Sequence, residues 1–439
     1  MCGFIASKNI EQTIDLSDIA YRGLSGYEGY YKEKNIQLGH QSLPFVNLDK
    51  KIAIQPFFNK NKIPFLLVGE IFNYKDFGTY QNDTETIAHV FEKKGLEGFH
   101  LLDGFWSFVT VVDNHLLAVT DYLSQKPIYY RTDMEIFASE IDTLKKYKKV
   151  TPNYLFLSNV MKWGYDPRPE TPWNEIKQIP PGSYYYKGKI QSYWDWKKVK
   201  KTDLKKDLLI STLNRLNGKR EVALLFSGGL DSTIIYSLIK QSKNTIKLIH
   251  VDNEEIKWAK FVLDFYGKKD ELILIKNENI SSLDSIMIHQ SPVDLGSVKH
   301  QISMAKKLKE IGFNAVITGD GADELFGGYK RSETYNSQFS DIFMELPYYQ
   351  LPKLDRTMMK FTVESRSPFL SPQVVAHALE VPYLKRNGEK KVLKELFKDD
   401  IPKMILNRKK KPLKNKLSNN KLLSQRVINN KIWNDFYVA

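Results

Sequence analysis

A glycine-rich turn between an apolar strand and an apolar helix is the clearest chemical feature of this sequence. The stretch "EVALLFSGGLDSTIIYSLI" predicts a strand that ends at Phe226 and a helix that begins near Asp231. Main-chain N–H groups and hydroxyls at a helix N-terminus bind phosphate oxygens. The residues that would supply them here are Ser227, Gly228, Gly229 and Ser232. No Gly-Lys-Ser/Thr follows, so the turn differs from the loop of enzymes that transfer a γ-phosphate. The remaining alternative is a tight strand-to-helix turn with a serine cap.

A second turn of the same kind carries acidic side chains. The stretch "NAVITGDGADELFGGYKR" predicts a strand, then Asp320, Asp323 and Glu324, and then glycines. The carboxyl ends of parallel strands open into one crevice, so this turn and Asp231 would face the same space. A carboxylate in such a place can hold Mg²⁺ against phosphate oxygens. The two turns together predict a nucleotide site with magnesium.

The elements that must position these turns alternate along the second half of the chain. Strand-type runs such as "IKLIHV", "ELILIK" and "NAVITG" alternate with helix-type runs such as "EEIKWAKFVLDFYG" and "HQISMAKKLKEIG". This alternation favours a parallel sheet with helices on both faces.

The first half of the chain has a different pattern. Short β-type runs such as "PFLLVGEIFNY" and "KPIYYR" dominate it, and "ETIAHVFEKKG" predicts a helix. The apolar stretch "LLDGFWSFVTVVDNHLLAVT" contains acidic residues, so it predicts two buried strands with a turn at Asp113–Asn114 and no membrane span. The polar stretch "DWKKVKKTDLKKD" marks a boundary near residue 200. We therefore predict domains at residues 1–198 and 205–415, followed by a C-terminal tail at 416–439.

Composition restricts the class of protein. A single cysteine, Cys2, excludes an internal disulfide framework and a thiolate-rich zinc site, and it fits a reducing compartment. The N-terminal residues turn polar quickly, so we expect no secretory signal and a cytoplasmic location. The net charge is +14, but no DNA- or RNA-binding motif accompanies the lysines. We expect a lysine-biased surface and no specific nucleic-acid partner.

The motifs resemble, in order, those of the glutamine-hydrolysing asparagine synthetase family. In the first half they are "MCGFIAS", "GHQSL", "VGEIFNY", "NDTET", "LLDGFWSF", "DYLSQKPIYY" and "FASEI". In the second half they are "SGGLDS", "GDGADELFGGY", "LPKLDRTMMKFTVESRSPFL" and "IPKMILNRKKKP". The resemblance covers roughly residues 1–415. It implies an α/β protein in which an N-terminal-nucleophile αββα sandwich, the class II glutamine amidotransferase, precedes a parallel-sheet synthetase domain with a pyrophosphate loop.

The resemblance gives the single thiol a role. Removal of the initiator methionine would leave Cys2 first, with an α-amine that can take the thiol proton before the thiolate attacks the glutamine amide. Gly69 would donate its main-chain N–H to the oxyanion, and Asp83 would hold the α-amine of glutamine.

Two other supports of that reaction depart from the family. Val68 stands where the family has an asparagine that donates to the oxyanion, and Ser42 stands where it has an arginine that binds the α-carboxylate. We therefore expect glutamine hydrolysis to be severely weakened, with free ammonia or another amine as the nitrogen donor. The alternative is that Arg22 or Asn73 has taken over one lost role.

For the second domain the resemblance implies that a carboxylate attacks the α-phosphate of ATP, pyrophosphate leaves, and ammonia attacks the acyl-adenylate. Asp231 and Asp323 would bind Mg²⁺, Asp320 would contact the intermediate, and Lys410 would stabilise the developing charge. The residues implied to hold ATP are Phe226, Ser227, Gly228, Gly229, Asp231, Ser232, Val251, Thr318 and Gly319.

Three functions remain open at this stage. The simplest is an asparagine synthetase acting on aspartate. The second is a relative that adenylates a different carboxylate for another amine, as lactam- and macrolactam-forming relatives do. The third is a non-enzymatic binding protein that uses the positive surface. The expected partners are small molecules, with no membrane partner, and a homodimer is left open.

Overall fold

The computed structural model describes residues 2–218, 220–240, 246–268, 272–293, 295–329, 343–382, 389–408 and 419–438. The strands are β1 Gly3–Lys8, β2 Glu28–Glu33, β3 Ile36–Gln41, β4 Phe57–Phe58, β5 Pro64–Ile71, β6 Gly104–Val112, β7 His115–Thr120, β8 Tyr129–Arg131, β9 Ile136–Ala138, β10 Ile176–Gln178, β11 Ser183–Tyr186, β12 Lys189–Ser192, β13 Val222–Leu225, β14 Lys247–Val251, β15 Leu272–Ile275, β16 Ala315–Ile317 and β17 Glu364–Arg366. The α-helices are α1 Lys50–Ala53, α2 Asp83–Lys94, α3 Ile141–Lys145, α4 Tyr154–Trp163, α5 Leu204–Asn214, α6 Leu230–Ile239, α7 Ile256–Phe265, α8 Ser282–His289, α9 Leu295–Glu310, α10 Ala322–Phe326, α11 Leu351–Met359, α12 Pro372–Glu380, α13 Lys391–Leu396, α14 Lys403–Leu406 and α15 Asn419–Trp433.

The first domain is a sandwich of two antiparallel sheets with helices outside. The sheet orders are β10-β8-β9-β1-β3-β2 and β12-β11-β7-β6-β5-β4. Alternate residues of β1 face opposite sides, because side chains in a strand alternate. Phe4 and Ala6 join the core between the sheets, whereas Ile5 packs with α3 and α4. On the far side of the second sheet, Leu67 packs with Ile87 of α2. This layering confirms the predicted αββα sandwich.

The predicted hairpin in the long apolar stretch is also confirmed. Strands β6 and β7 pair antiparallel through residues 107–112 and 115–120. Asp113 and Asn114 both have positive φ, at 50° and 58°. A two-residue turn of this hand matches the twist of the strands it joins, and aspartate and asparagine tolerate it best after glycine.

The second domain contains a five-stranded parallel sheet in the order β15-β14-β13-β16-β17. Helices α6, α7 and α9 occur in the chain between its strands, as the alternating pattern predicted. Ala223 and Leu224 of the central strand β13 contribute to hydrophobic clusters on opposite faces. Strand β13 pairs directly with β16, so the turns that follow these two strands lie at the same edge of the sheet.

The segment predicted as a C-terminal tail contains a docked helix. Trp433, at the end of α15, is fully buried, and its ring lies 5.5 Å from the ring of Trp173 and 4.3 Å from that of Tyr437. An indole ring buries a large apolar area, which outweighs fraying of the chain end. The structure therefore attaches the end of the chain to the first domain.

Candidate active sites

The single thiol lies at the start of β1, beside a cavity that we call the thiol cavity. Cys2 is 5% exposed, and its Sγ accepts the N–H of Leu43 at 3.4 Å. Burial raises the pKa of the thiol. The residues that line the cavity are Cys2, Ser42, Leu43, Pro44, Phe45, Val46, Asn47, Ala53, Gln55, Gly69, Glu70, Asn82, Asp83 and Thr84.

Gly69 and Asp83 meet the thiol in this cavity. Gly69 has φ of +123°, and a Cβ there would lie 1.9 Å from the carbonyl oxygen of Phe105, so only glycine fits. Asp83 begins α2, and its Oδ2 accepts the N–H of Ile71 at 3.2 Å. Burial raises the pKa of Asp83 to about 6. The structure thus brings together the three residues to which the sequence assigned glutamine chemistry.

The two departures from the family leave their roles empty. Val68 is buried in the core between the sheets and has no donor to offer. Ser42 lines the cavity, but its Oγ donates to the carbonyl of Ala53 at 2.9 Å and lies 2.9 Å from Nδ1 of His40. Among the described residues that line the cavity, none is a lysine or an arginine. The described lining therefore offers no lysine or arginine side chain to the α-carboxylate of glutamine.

Neither of the two alternative residues, Arg22 and Asn73, is among the residues that line the thiol cavity. The guanidinium of Arg22 is buried. Its Nε donates to the main-chain carbonyl of Cys2 at 3.1 Å, and its terminal nitrogens contact Glu140 at 2.5 Å and Asp355 of the second domain at 2.8 Å. The side-chain amide of Asn73 donates to the carbonyl of Leu101 at 3.0 Å. That Arg22 or Asn73 has taken over one lost role therefore stays a prediction.

The pyrophosphate loop, residues 227–232, follows β13 and includes the first residues of α6. Gly228 has φ of +65°, and a Cβ there would lie 2.4 Å from the main-chain nitrogen of Ala259. The N–H of Gly229 donates to Oγ of Ser227 at 3.2 Å, and that hydroxyl lies 3.1 Å from the hydroxyl of Ser232. Glycine is needed at Gly228 because the loop packs directly on α7. The main-chain and hydroxyl groups predicted to bind phosphate are thus gathered at one helix start.

The acidic turn after β16 reaches the same place. A Cβ on Gly319 would lie 2.9 Å from Cβ of Asp231, so the missing side chain lets the two turns touch. Thr318 places its hydroxyl 3.1 Å from that of Ser365 on β17. Val251 is the last residue of β14, which pairs with β13, the strand that leads into the pyrophosphate loop. The ring of Phe226 is buried, with its centroid 5.1 Å from that of Tyr236, and the main-chain N–H of Phe226 donates to the carbonyl of Ile249 on β14 at 2.8 Å.

A lysine that the sequence analysis missed joins the two predicted metal ligands. Nζ of Lys390 lies 2.5 Å from Oδ2 of Asp231 and 2.7 Å from Oδ1 of Asp323. Burial disfavours the charged form, but the two carboxylates outweigh it and raise the pKa of Lys390. Lys390 lies in "GEKKVL", where no spacing or pattern distinguishes it from the other lysines of the chain.

The same geometry tests whether Mg²⁺ fits the site. Asp231 and Asp323 converge on one cation beside the pyrophosphate loop, and Mg²⁺ typically takes one or two carboxylates together with substrate phosphates. In the described part of the chain no group of three or more His, Cys, Asp or Glu side chains could hold a metal. The residues present therefore fit a magnesium ion that is shared with a nucleotide.

The remaining acids of the turn differ in exposure, because Glu324 is buried and Asp320 is partly exposed. Partial desolvation raises the pKa of Asp320. Burial, together with the charge of Asp323, raises the pKa of Glu324 to about 7, and Tyr329 donates to it at 2.7 Å. The main-chain carbonyl of Asp320 accepts the hydroxyl of Ser367 at 2.5 Å. The predicted catalytic residue Lys410 lies outside the described residues.

A second cavity lies at the boundary between the two domains. Its lining residues are Phe105, Gln125, Lys126, Leu351, Leu354, Asp355, Met358, Ser365, Ser367 and Leu370. Phe105 pairs with Glu70 across β6 and β5, next to the thiol cavity, and Ser365 and Ser367 contact the acidic turn. The cavity therefore borders both candidate sites.

A buried thiol in an αββα sandwich, followed by a parallel sheet with a pyrophosphate loop and paired carboxylates, defines the class of two-domain amidotransferase–synthetases. Comparisons with known proteins agree. A family model described as a glutamine amidotransferase domain matches residues 1–194, and one described as asparagine synthase matches residues 203–347 and 331–431. The chain belongs to the asparagine synthase family, and this membership supports an ATP-dependent amide ligase activity.

Curated relatives match over nearly the whole chain. An asparagine synthetase [glutamine-hydrolyzing] of Zea mays is 25% identical, over 93% of this chain and 77% of the relative. Asparagine synthetase B [glutamine-hydrolyzing] of Escherichia coli K12 is also 25% identical, over 91% of this chain and 78% of the relative. A solved structure described as the allosteric regulatory enzyme of purine biosynthesis covers 64% of this chain and 81% of its own at 11% identity, with a TM-score of 0.34. That likeness is too low to carry an argument.

Within the described ranges, no helix combines the length and the apolar character needed to cross a bilayer.

Proposed function

We propose that this chain adenylates a carboxylate with ATP, releases pyrophosphate, and joins the acyl group to ammonia or another amine. The observation that supports this most is the convergence of Asp231 and Asp323 on one cation beside the pyrophosphate loop. Two carboxylates at that place suit a nucleotide whose phosphates share a magnesium ion. A non-enzymatic binding protein would have no need for them.

The residues of the loop would orient the nucleotide. The N–H of Gly229 and the hydroxyls of Ser227 and Ser232 would donate to phosphate oxygens as charge develops there. Asp231 and Asp323 would hold Mg²⁺, which offsets the charge of the leaving pyrophosphate when it is bound. Lys390, released from its two carboxylates, would then offer its ammonium to the same phosphates.

The nitrogen donor is proposed to be free ammonia or another amine. The thiol cavity keeps Cys2, the N–H of Gly69 and the carboxyl of Asp83, but it lacks a cation for the α-carboxylate of glutamine among its described lining. The side-chain oxyanion donor is also replaced by the buried Val68. Loss of one oxyanion donor costs about 10²–10³ in rate. The first domain would then act mainly as a structural partner of the synthetase.

The names of the curated relatives make aspartate the first carboxylate to test, and the product of the reaction would then be asparagine. A different carboxylate remains the second candidate. We place the protein in the cytoplasm as part of this proposal, in line with its single cysteine. A homodimer stays a prediction.

A direct assay tests the proposal. The protein is incubated with ATP, Mg²⁺, ammonia and a panel of carboxylates that includes aspartate, and pyrophosphate and AMP are measured. We expect equal amounts of AMP and pyrophosphate with at least one carboxylate. Formation of ADP and phosphate, or no nucleotide turnover with any carboxylate, would contradict adenylation.

A further inference from the structure

Arg408 contacts the pyrophosphate loop from outside. Its Nη1 donates to the carbonyl oxygen of Gly228 at 3.2 Å, and its other terminal nitrogen forms an ion pair with Glu255. Its guanidinium carbon lies 4.7 Å from the ring centroid of Trp258. Glu255 and Trp258 lie at the start of α7, on which the loop packs. One side chain therefore joins three segments that are distant in sequence.

The contact with Gly228 sets the direction of the next N–H group. The carbonyl of Gly228 and the N–H of Gly229 belong to one planar trans peptide, so they point in opposite directions. The carbonyl of Gly228 points towards Arg408, on the outer side of the loop. The N–H of Gly229 therefore points to the opposite, inner side, where it donates to Oγ of Ser227 at 3.2 Å. That inner side is the one on which phosphate would bind.

The loop needs such a restraint. Gly228 has φ of +65°, and glycine moves between backbone regions at little cost. The restraint itself is fixed, since Glu255 and the Trp258 ring hold the planar guanidinium in one orientation. The side chain of Arg408 is 16% exposed, which limits its exchange with water.

We propose that Arg408 is a positioning residue that turns the Gly229 N–H into the pyrophosphate site. It acts through the Gly228 peptide and not by contact with the substrate. This inference rests on the proposed function, because it assumes that the loop binds pyrophosphate. It is independent of which carboxylate or amine the protein uses.

The test measures the binding of Mg²⁺-pyrophosphate to the full-length chain by isothermal titration calorimetry. We expect wild type to bind and Arg408→Ala to bind about 10- to 100-fold more weakly. Arg408→Lys keeps the charge but lacks the two-armed planar geometry, so its affinity should fall between the two. The matched control is Arg426→Ala. Like Arg408, Arg426 donates to main-chain carbonyls, in its case those of Met161 and Lys162, but it lies in the contact between α4 and α15. Its binding should equal that of wild type.

The outcomes separate this inference from the proposed function. Wild type that binds no pyrophosphate would overturn both. Equal binding by wild type and Arg408→Ala, or full affinity in Arg408→Lys, would overturn the positioning role and leave the proposed function standing. If Arg408→Ala does not fold, as judged by circular dichroism, Arg408→Lys decides by the same criterion. In the steady state, KM for ATP should rise while KM for the carboxylate stays unchanged, a split that a general loss of stability would not produce.

Discussion

The guanidinium of Arg366 in the second domain lies 2.7 Å from the carboxylate of Glu70 in the first, and both side chains are buried. Glu70 follows Gly69 directly, and Nε of Arg366 also donates to Glu364 at 2.7 Å. The ring of Phe45, which lines the thiol cavity, lies 4.5 Å from the guanidinium carbon. The domains therefore share a buried ion cluster at the edge of that cavity. The first domain would stay bound to the second even if glutamine hydrolysis were lost.

Removal of the cation from this cluster is expected to destabilise the protein strongly. Arg366→Met leaves Glu70 and Glu364 buried without their cation, which typically costs about 3–5 kcal/mol in the free energy of unfolding. Urea denaturation measures the change. The control is Lys398→Met, since the Lys398–Glu395 pair is exposed and should contribute nothing measurable. An Arg366→Met variant as stable as wild type would contradict the assignment of the cluster.

Loss of either proposed metal ligand should abolish adenylation without unfolding the protein. Asp231→Asn and Asp323→Asn each remove one carboxylate from the proposed magnesium, and one such electrostatic contact is worth about 10²–10³ in rate. Pyrophosphate release with the preferred carboxylate is the measurement. Asp264→Asn, an exposed aspartate of α7, is the control and should retain full activity. Near-normal release by either site variant would show that the metal assignment is wrong.

Glutamine should be a poor nitrogen donor. We expect little glutamate release from glutamine by wild type and the same low rate in Cys2→Ala, because the oxyanion and carboxylate supports are missing. With ammonia, both proteins should form equal amounts of product. The assay measures glutamate and product in parallel. A robust glutaminase rate that vanishes in Cys2→Ala would refute this prediction.

Asp83 should make the protein less stable as the pH rises. Burial raises its pKa from an ordinary value of 3.8 to about 6, so the folded protein holds this proton more tightly than the unfolded chain does. Ionisation therefore costs stability between about pH 4 and pH 6, and the cost is constant above that window. Asp83→Asn removes the cost.

The free energy of unfolding of Asp83→Asn, minus that of wild type, should thus grow by about 1–3 kcal/mol between pH 4 and pH 7. Denaturation at several pH values gives this difference, and contributions from other buried acids such as Asp121 cancel in it. Asp264→Asn, at an exposed position of α7, is measured in parallel as the control. A constant difference for Asp83→Asn would show that Asp83 ionises normally.

Binding to nucleic acid should be weak and without sequence preference. The charge of +14 comes from lysines dispersed along the chain, so any affinity for DNA or RNA should fall steeply between about 50 and 200 mM salt. Filter binding or fluorescence anisotropy measures it. Sequence-selective, sub-micromolar binding at physiological salt would instead favour the binding-protein alternative.

Local pattern was enough to predict many of the strands, helices and turns, whereas the αββα sandwich was predicted only from the family resemblance. The alternation of strands and helices, the hairpin at Asp113–Asn114 and the two glycine-rich turns were all read correctly, because burial periodicity and turn chemistry are properties of neighbouring residues. The convergence of Asp231 with the turn around Asp323 also followed from sequence, since parallel strands place their carboxyl ends together.

Only the tertiary structure decided which distant side chains meet. No local pattern in the sequence indicates these contacts, because each depends on a partner far away in the chain. They are the contacts of Lys390 with Asp231, of Arg366 with Glu70 and of Arg408 with the carbonyl of Gly228. The same holds for the end of the chain, where the predicted tail is a helix anchored by Trp433 against Trp173. In a chain with 65 lysines and arginines, the few that become buried are selected by the packing of the two domains and not by any feature of their own sequence.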